Sequence, residues 1–251
     1  MKQTKLLMNM PITVEIVDQL KSKVIFDKIY EYFREVECRF SVFRKDSEIS
    51  KINSKEIEHP KYSHEMKEIL DLAEKTKRES FDYFDIERNG RLNPSGIVKG
   101  WAILQAAKKL EADGIKNFYI EAGGDIQTSG VNSEGKKWQV GIRNPFDHTQ
   151  IVKALILSGE GIATSGTYHR GQHIYNPFNP TVPLTETVSI TVIGPNILEA
   201  DRFATAAFAM GKDGINFIEN RPELEGYMID QRKVATFTSN FERYVKQNVF
   251  A

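Results

Sequence analysis

Asp201 and Thr205 stand four residues apart in EADRFATAAFAMG, residues 199–211. On a helix that spacing stacks a carboxylate and a hydroxyl on one face, and most of the remaining residues are apolar. A hard cation such as Mg²⁺ takes oxygen ligands of this kind and keeps positions for water and substrate phosphate. The plainer alternative is an acid favouring the helix start and a threonine bonded back to its own backbone. The stretch alone does not separate the two.

Three further stretches carry groups that could do chemistry. In NPSGIVKGWA (93–102), Gly96 and Gly100 permit close backbone approach, and the turn runs straight into a helix. A helix start offers free N–H groups to phosphate, and Lys99 adds a point charge. The spacing matches neither a Walker A loop nor a dinucleotide fingerprint, so an ordinary glycine turn is the competing reading. In EAGGDIQTSG (121–130), Asp125 follows two glycines. That suits approach to a sugar or base edge, or else a β-turn capped by its own Asp. GIATSGTYHRGQHIYNP (161–177) gathers hydroxyls, two histidines and an arginine. It reads as a functional loop too polar for a core strand, with His173 the histidine of interest.

The elements that must position these groups alternate without strict β-α order, which predicts an α+β fold. A strand is expected at MPITVEIV, then a helix over KVIFDKIYEYFREVECRF with Val24, Ile25, Ile29, Phe33 and Val36 on its apolar stripe. SVFRKDSEISKIN reads as loop, and a second helix follows in HEMKEILDLAEKTKRES with Ser63 as its N-cap. A helix is expected in IVKGWAILQAAKKLEADG and another after GPN. Strands are expected at NFYIEAGG, KWQVGIRNP, IVKALILSG, TVSITVIG, GYMID and KVATFT. No repeat or linker divides residues 1–251, so one continuous unit is expected.

The totals exclude several classes. The 251 residues hold 34 basic and 34 acidic side chains, and this zero net charge argues against a general nucleic-acid binder. The single cysteine, Cys38, excludes an internal disulfide and a cysteine-built zinc site, and its setting suggests a small core residue. No stretch is long enough to span a membrane. Asn9 and Pro11 break the first apolar residues, so the start fails as a signal peptide and a cytoplasmic location is expected.

Taken in order, FSVFRKDSEISKIN, YFDIERNG, SGIVKGWA, EAGGDIQTSG, WQVGIRNP, IATSGTYHR, HIYNP and EADRFATAAFAMG resemble the ApbE family, the FAD:protein FMN transferases, from about Met10 to Gly211. The resemblance implies a mixed fold of largely antiparallel sheets with flanking helices. It also implies Mg²⁺-dependent transfer of FMN from FAD to a Ser or Thr hydroxyl of an acceptor protein, releasing AMP. Its alternatives are hydrolysis of FAD to FMN and AMP, or flavin binding without catalysis. By the same likeness, Asp201, Thr205 and a carbonyl at Ser95-Gly96, assigned to Gly96, hold the metal, and Lys99 lies beside the FAD phosphates. Met10, Phe43, Tyr83, Phe84, Asp85, Asn93, His173 and Ile174 fall at flavin-contact positions, and Asp125 and Ala204 help line that site. His173 is the candidate base for the incoming hydroxyl, with Asp201 and Thr205 completing the catalytic set. The chain departs from the usual family pattern at Asn93-Pro94-Ser95, at Asn176 and at Phe43.

Overall fold

The computed structural model describes residues 1–19, 23–166 and 174–246. Twelve strands appear among them: β1 (Lys2–Leu7), β2 (Met10–Ile16), β3 (Glu87–Arg88), β4 (Arg91–Leu92), β5 (Phe118–Ala122), β6 (Asp125–Ser129), β7 (Trp138–Asn144), β8 (Asp147–Leu157), β9 (Gly161–Gly166), β10 (Thr187–Gly194), β11 (Glu225–Asp230) and β12 (Ala235–Phe237). The α-helices are α1 (Val24–Phe40), α2 (Glu48–Asn53), α3 (His64–Glu79), α4 (Ser95–Ala112), α5 (Ile197–Ala209) and α6 (Gly214–Glu219).

Eight strands form one sheet in the order β1-β2-β5-β6-β9-β10-β11-β12, while β3-β4 and β7-β8 are separate hairpins. Among the described residues every strand pairing is antiparallel, in keeping with the expected α+β fold of largely antiparallel sheets. Alternation along the strands sends side chains to two faces. Met10, Ile12, Val14 and Ile16 of β2 join Phe118 and Ile120 of β5 in a large core with α1, α3, α4 and α5. Ile126, Ile162, Ile193, Tyr227 and Ile229 point the other way and pack under β7-β8 with Val140, Ile142, Leu155 and Leu157.

Several expectations need correction. Residues 48–53 are helical, not loop: Ser47 accepts the Ser50 N–H as an N-cap while Ile49 and Ile52 are buried. One and a half turns are too short to show a period in the sequence. The segment from Gly161 to Gly166 is a mostly buried strand between β6 and β10. Its Thr164 hydroxyl is matched across the ladder by that of Thr191 (2.8 Å between Oγ1 atoms). Of the expected apolar stripe of α1, Ile25 packs against the core and Ile29, Phe33 and Val36 are buried, whereas Val24 is exposed. Cys38 is exposed on α1 and is not a core residue. Asp125 opens β6 and does not cap its own turn; its Oδ1 accepts the Thr164 N–H (3.2 Å).

Ser63 does cap α3, accepting the Met66 N–H at 3.1 Å. Among the described residues no helix is long and apolar enough to cross a membrane.

Candidate functional site

Two helices and the turn before β6 build the site. Glycine decides how closely α4 and α5 approach. A Cβ at Gly100 would lie 2.7 Å from the Asp201 Cβ and 2.9 Å from the Ile197 carbonyl, so any larger residue would force the helices apart. The approach lets Gly100 N–H donate to Asp201 Oδ2 (2.8 Å). One turn further along α5, Thr205 Oγ1 donates to the Gly96 carbonyl at 3.3 Å. Carboxylate, hydroxyl and carbonyl therefore converge at the start of α4.

The start of α5 is tightly held. Asn196 caps it by accepting the Glu199 N–H (3.1 Å), and Gln127 Oε1 accepts the Ile197 N–H (2.8 Å). Arg202 is buried and ion-paired to Glu79 of α3 and to Glu199 at 2.5 Å, which locks the helix rotation. The start of α4 is different. Pro94, in the N-cap position, supplies no side-chain cap, and Asn93 Oδ1 reaches across to accept from Ser95 N (3.2 Å) and Ser95 Oγ (2.6 Å).

These groups face a cleft of about 570 Å³. Met10, Gly96, Lys99, Ile174, Asp201 and Thr205, all expected from the sequence, line it together. Phe43 is exposed in an adjoining groove that also touches Met10, Ser95 and Lys99. Other expected positions lie outside the cleft lining. Phe84 packs behind Gly96, Tyr83 meets Phe178 edge-on (4.9 Å between centroids), and Ala204 is buried inside α5. Asp85 pairs with Lys77 (2.7 Å) and accepts the Glu87 N–H (2.8 Å). Asn93 is exposed in its turn, and His173 lies outside the described residues.

Charge is concentrated where Lys99 and Asp201 line the cleft, with the expected lining residue Asp125 buried behind them outside the lining. Lys99 Nζ lies 2.5 Å from Asp125 Oδ2 and 3.7 Å from Asp201 Oδ1. Both carboxylates are nearly inaccessible to solvent. Burial pushes the Asp201 carboxyl well above the ordinary carboxylate range; Lys99 and the Gly100 N–H oppose the shift, and the neighbouring Asp125 adds to it. Among the described residues no three His, Cys, Asp or Glu side chains come together as a metal cage. Asp201 Oδ1, Thr205 Oγ1 and the Gly96 carbonyl form an all-oxygen, incomplete set. That fits Mg²⁺, which is commonly bound through one or two carboxylates plus waters and substrate phosphates, and is a poor match for softer metals.

The far end of the cleft was not identified from the sequence. Tyr119 and Glu121 of β5 and Gln139 and Arg143 of β7 line it. Tyr119 donates to Glu121 at 3.1 Å; burial, then that carboxylate, pushes the tyrosine hydroxyl up. Period-two spacing was the available signal, since 119 and 121 share one face of β5 and 139, 141 and 143 share one face of β7.

Comparison with known proteins gives a consistent set of likenesses. The model of the ApbE family matches residues 8–90 and 86–228. A FAD:protein FMN transferase of Klebsiella pneumoniae (strain 342) is 34% identical over 144 residues, 54% of this chain and 41% of its own. One of Escherichia coli (strain K12) is 33% identical over the same shares. The chain thus spans about two fifths (41%) of the length of these curated relatives. Among solved structures, the flavin transferase ApbE from Vibrio cholerae superposes with a TM-score of 0.85 at 22% identity, covering 97% of this chain and 98% of that one. The ApbE protein from Thermotoga maritima gives 0.87 at 20% identity, covering 98% and 99%. These two likenesses carry the fold.

Proposed function

This chain belongs to the ApbE family, and we propose that it is an Mg²⁺-dependent FAD:protein FMN transferase. The observation that carries the reading is the convergence of the Gly96 carbonyl, Asp201 and Thr205 at the start of α4, with Lys99 beside them. The names of the Klebsiella pneumoniae and Escherichia coli relatives support the same activity.

In this reading FAD lies along the cleft with its pyrophosphate at the start of α4. The helix N-terminus and the Lys99 ammonium receive phosphate oxygens. Asp201 Oδ1, Thr205 Oγ1 and the Gly96 carbonyl would hold Mg²⁺, and the chemistry it would supply there is neutralisation of charge on the phosphoryl oxygens. A Ser or Thr hydroxyl of the acceptor attacks the FMN-side phosphorus. A P–O bond forms to the acceptor, the bridging P–O bond breaks, and AMP leaves with the bridging oxygen. The hydroxyl proton passes to a base, for which His173 is the candidate on sequence grounds. Asn93 and Asn176 serve as turn acceptors, Asn93 from Ser95 and Asn176 from the Phe178 N–H (2.9 Å), a task either amide or carboxylate oxygen can perform.

The test is incubation with FAD and Mg²⁺, with and without an acceptor carrying a target Thr, following AMP release and covalent flavin by mass. Acceptor-dependent covalent FMN with matching AMP is expected. AMP without acceptor would replace this reading with an FAD pyrophosphatase. Bound flavin with neither product would leave a flavin-binding protein. Full transferase rate in His173→Ala with normal FAD binding would remove that residue's role.

A further inference from the structure

The oxygen of Asp201 that would meet a cation is also the one that faces a lysine. Oδ2 is committed to the Gly100 N–H, leaving Oδ1, and Lys99 Nζ stands 3.7 Å from it. Lysine carries a compact charge on a flexible stem, so its own covalent structure does not prevent it from swinging onto that oxygen. There it would compete with a bound cation for the same lone pairs.

Asp125 supplies the opposing pull. Its Oδ2 is the nearer carboxylate oxygen to Lys99, at 2.5 Å, and its side chain is only 1% exposed. No aligned hydrogen-bond donor reaches this oxygen, so its burial is compensated by the lysine charge. The carboxylate is also fixed in place. Oδ1 accepts the Thr164 N–H from the adjacent strand, and the backbone enters β6 through Gly123 and Gly124, whose φ values of 58° and 94° set the turn.

We propose that Asp125 is a positioning residue that holds the Lys99 ammonium off Asp201 Oδ1, so that one cleft keeps both a cation-binding carboxylate and a phosphate-facing lysine. The inference rests on the reading of Asp201 as a cation ligand and adds how its open oxygen is kept open. It acts through Lys99 without contact with the reacting atoms.

The test is Mn²⁺ binding to the FAD-free protein, followed by electron paramagnetic resonance of free Mn²⁺. Asp125→Asn should weaken binding about 10- to 100-fold, the range for loss of a group supporting a metal ligand. Adding Lys99→Gln to that variant should restore binding to near the wild-type level, which a damaged fold would not do. Lys99→Gln alone should bind Mn²⁺ at least as tightly as wild type, a prediction independent of how well Asp125→Asn folds. Unchanged binding in Asp125→Asn, a double variant as weak as the single, or weakened binding in Lys99→Gln alone would each overturn the proposal. Absence in the wild type of any Mn²⁺ binding that Asp201→Asn removes would instead overturn the cation reading itself, and this inference with it.

Discussion

The two helices at the centre of the site begin in opposite ways. The first turn of α5 is closed: Asn196 and Gln127 take its leading N–H groups, and Arg202 anchors it to α3. In the first turn of α4, Asn93 Oδ1 takes the Ser95 N–H and the Pro94 carbonyl takes those of Ile97 and Val98, while Ser95, Gly96 and Lys99 line the cleft. A helix end with its donors satisfied is a fixed reference; one facing a cleft is a receptor for negative charge. In the proposed site the firmly anchored helix α5 supplies the carboxylate and hydroxyl, and the cleft-facing start of α4 supplies the carbonyl and the lysine. The difference teaches a division of labour: rigidity is placed behind Asp201 and Thr205, and exposure is placed opposite them.

Breaking the ligand set should have the largest effect. Asp201→Asn is expected to lower Mg²⁺-dependent AMP release by about a hundredfold to a thousandfold, as losing several kcal/mol of transition-state stabilisation implies. Next comes the support of the closed end. A Cβ at Gly161 would overlap the backbone of Asn196 and Ile197. Gly161→Ala should therefore destabilise by about 1–3 kcal/mol, read as a lower urea midpoint. Removing the cap alone is milder: Asn196→Ala should cost about 1 kcal/mol of stability while AMP release per folded molecule stays unchanged. A large loss of turnover with no loss of stability in that variant would contradict the division between the two ends.

The smallest effect is expected just beyond the far end of α4, away from the site. Burial raises the Asp18 carboxyl, but hydrogen bonds from Asn117 and Lys116 outweigh it and hold the group below its ordinary value of 3.8. Such a depressed group contributes stability above that ordinary value and loses it as pH falls through the lower folded value. Asp18→Asn should reduce stability at neutral pH and flatten the decline below about pH 4 in acid titrations followed by circular dichroism.

Much of this arrangement is legible in the sequence where a period is long. The repeats of α1, α3, α4 and α5 place those helices, and the spacing of 201 and 205 places a carboxylate and a hydroxyl on one face. Short or satisfied elements are harder. β9 reads as polar because its hydroxyls are visible, whereas Thr191, the partner of Thr164, lies across the ladder. The Asp125–Lys99 pair depends on β6 passing beneath α4, a tertiary fact that neither segment announces. Tyr119 and Glu121 alternate correctly on β5, but nothing local shows that their face meets the β7-β8 hairpin across a cleft.

The two apolar clusters on opposite faces of the main sheet have a consequence for timing. Val140, Ile142, Leu155 and Leu157 of the hairpin belong to the smaller cluster, while the helices bearing Lys99 and Asp201 pack into the larger. Local opening follows cooperative units that share a core. Amide exchange in β7 and β8 should therefore run ahead of exchange in α4 and α5. The wall of the cleft carried by the hairpin should thus open more readily than the charged wall carried by α4 and α5.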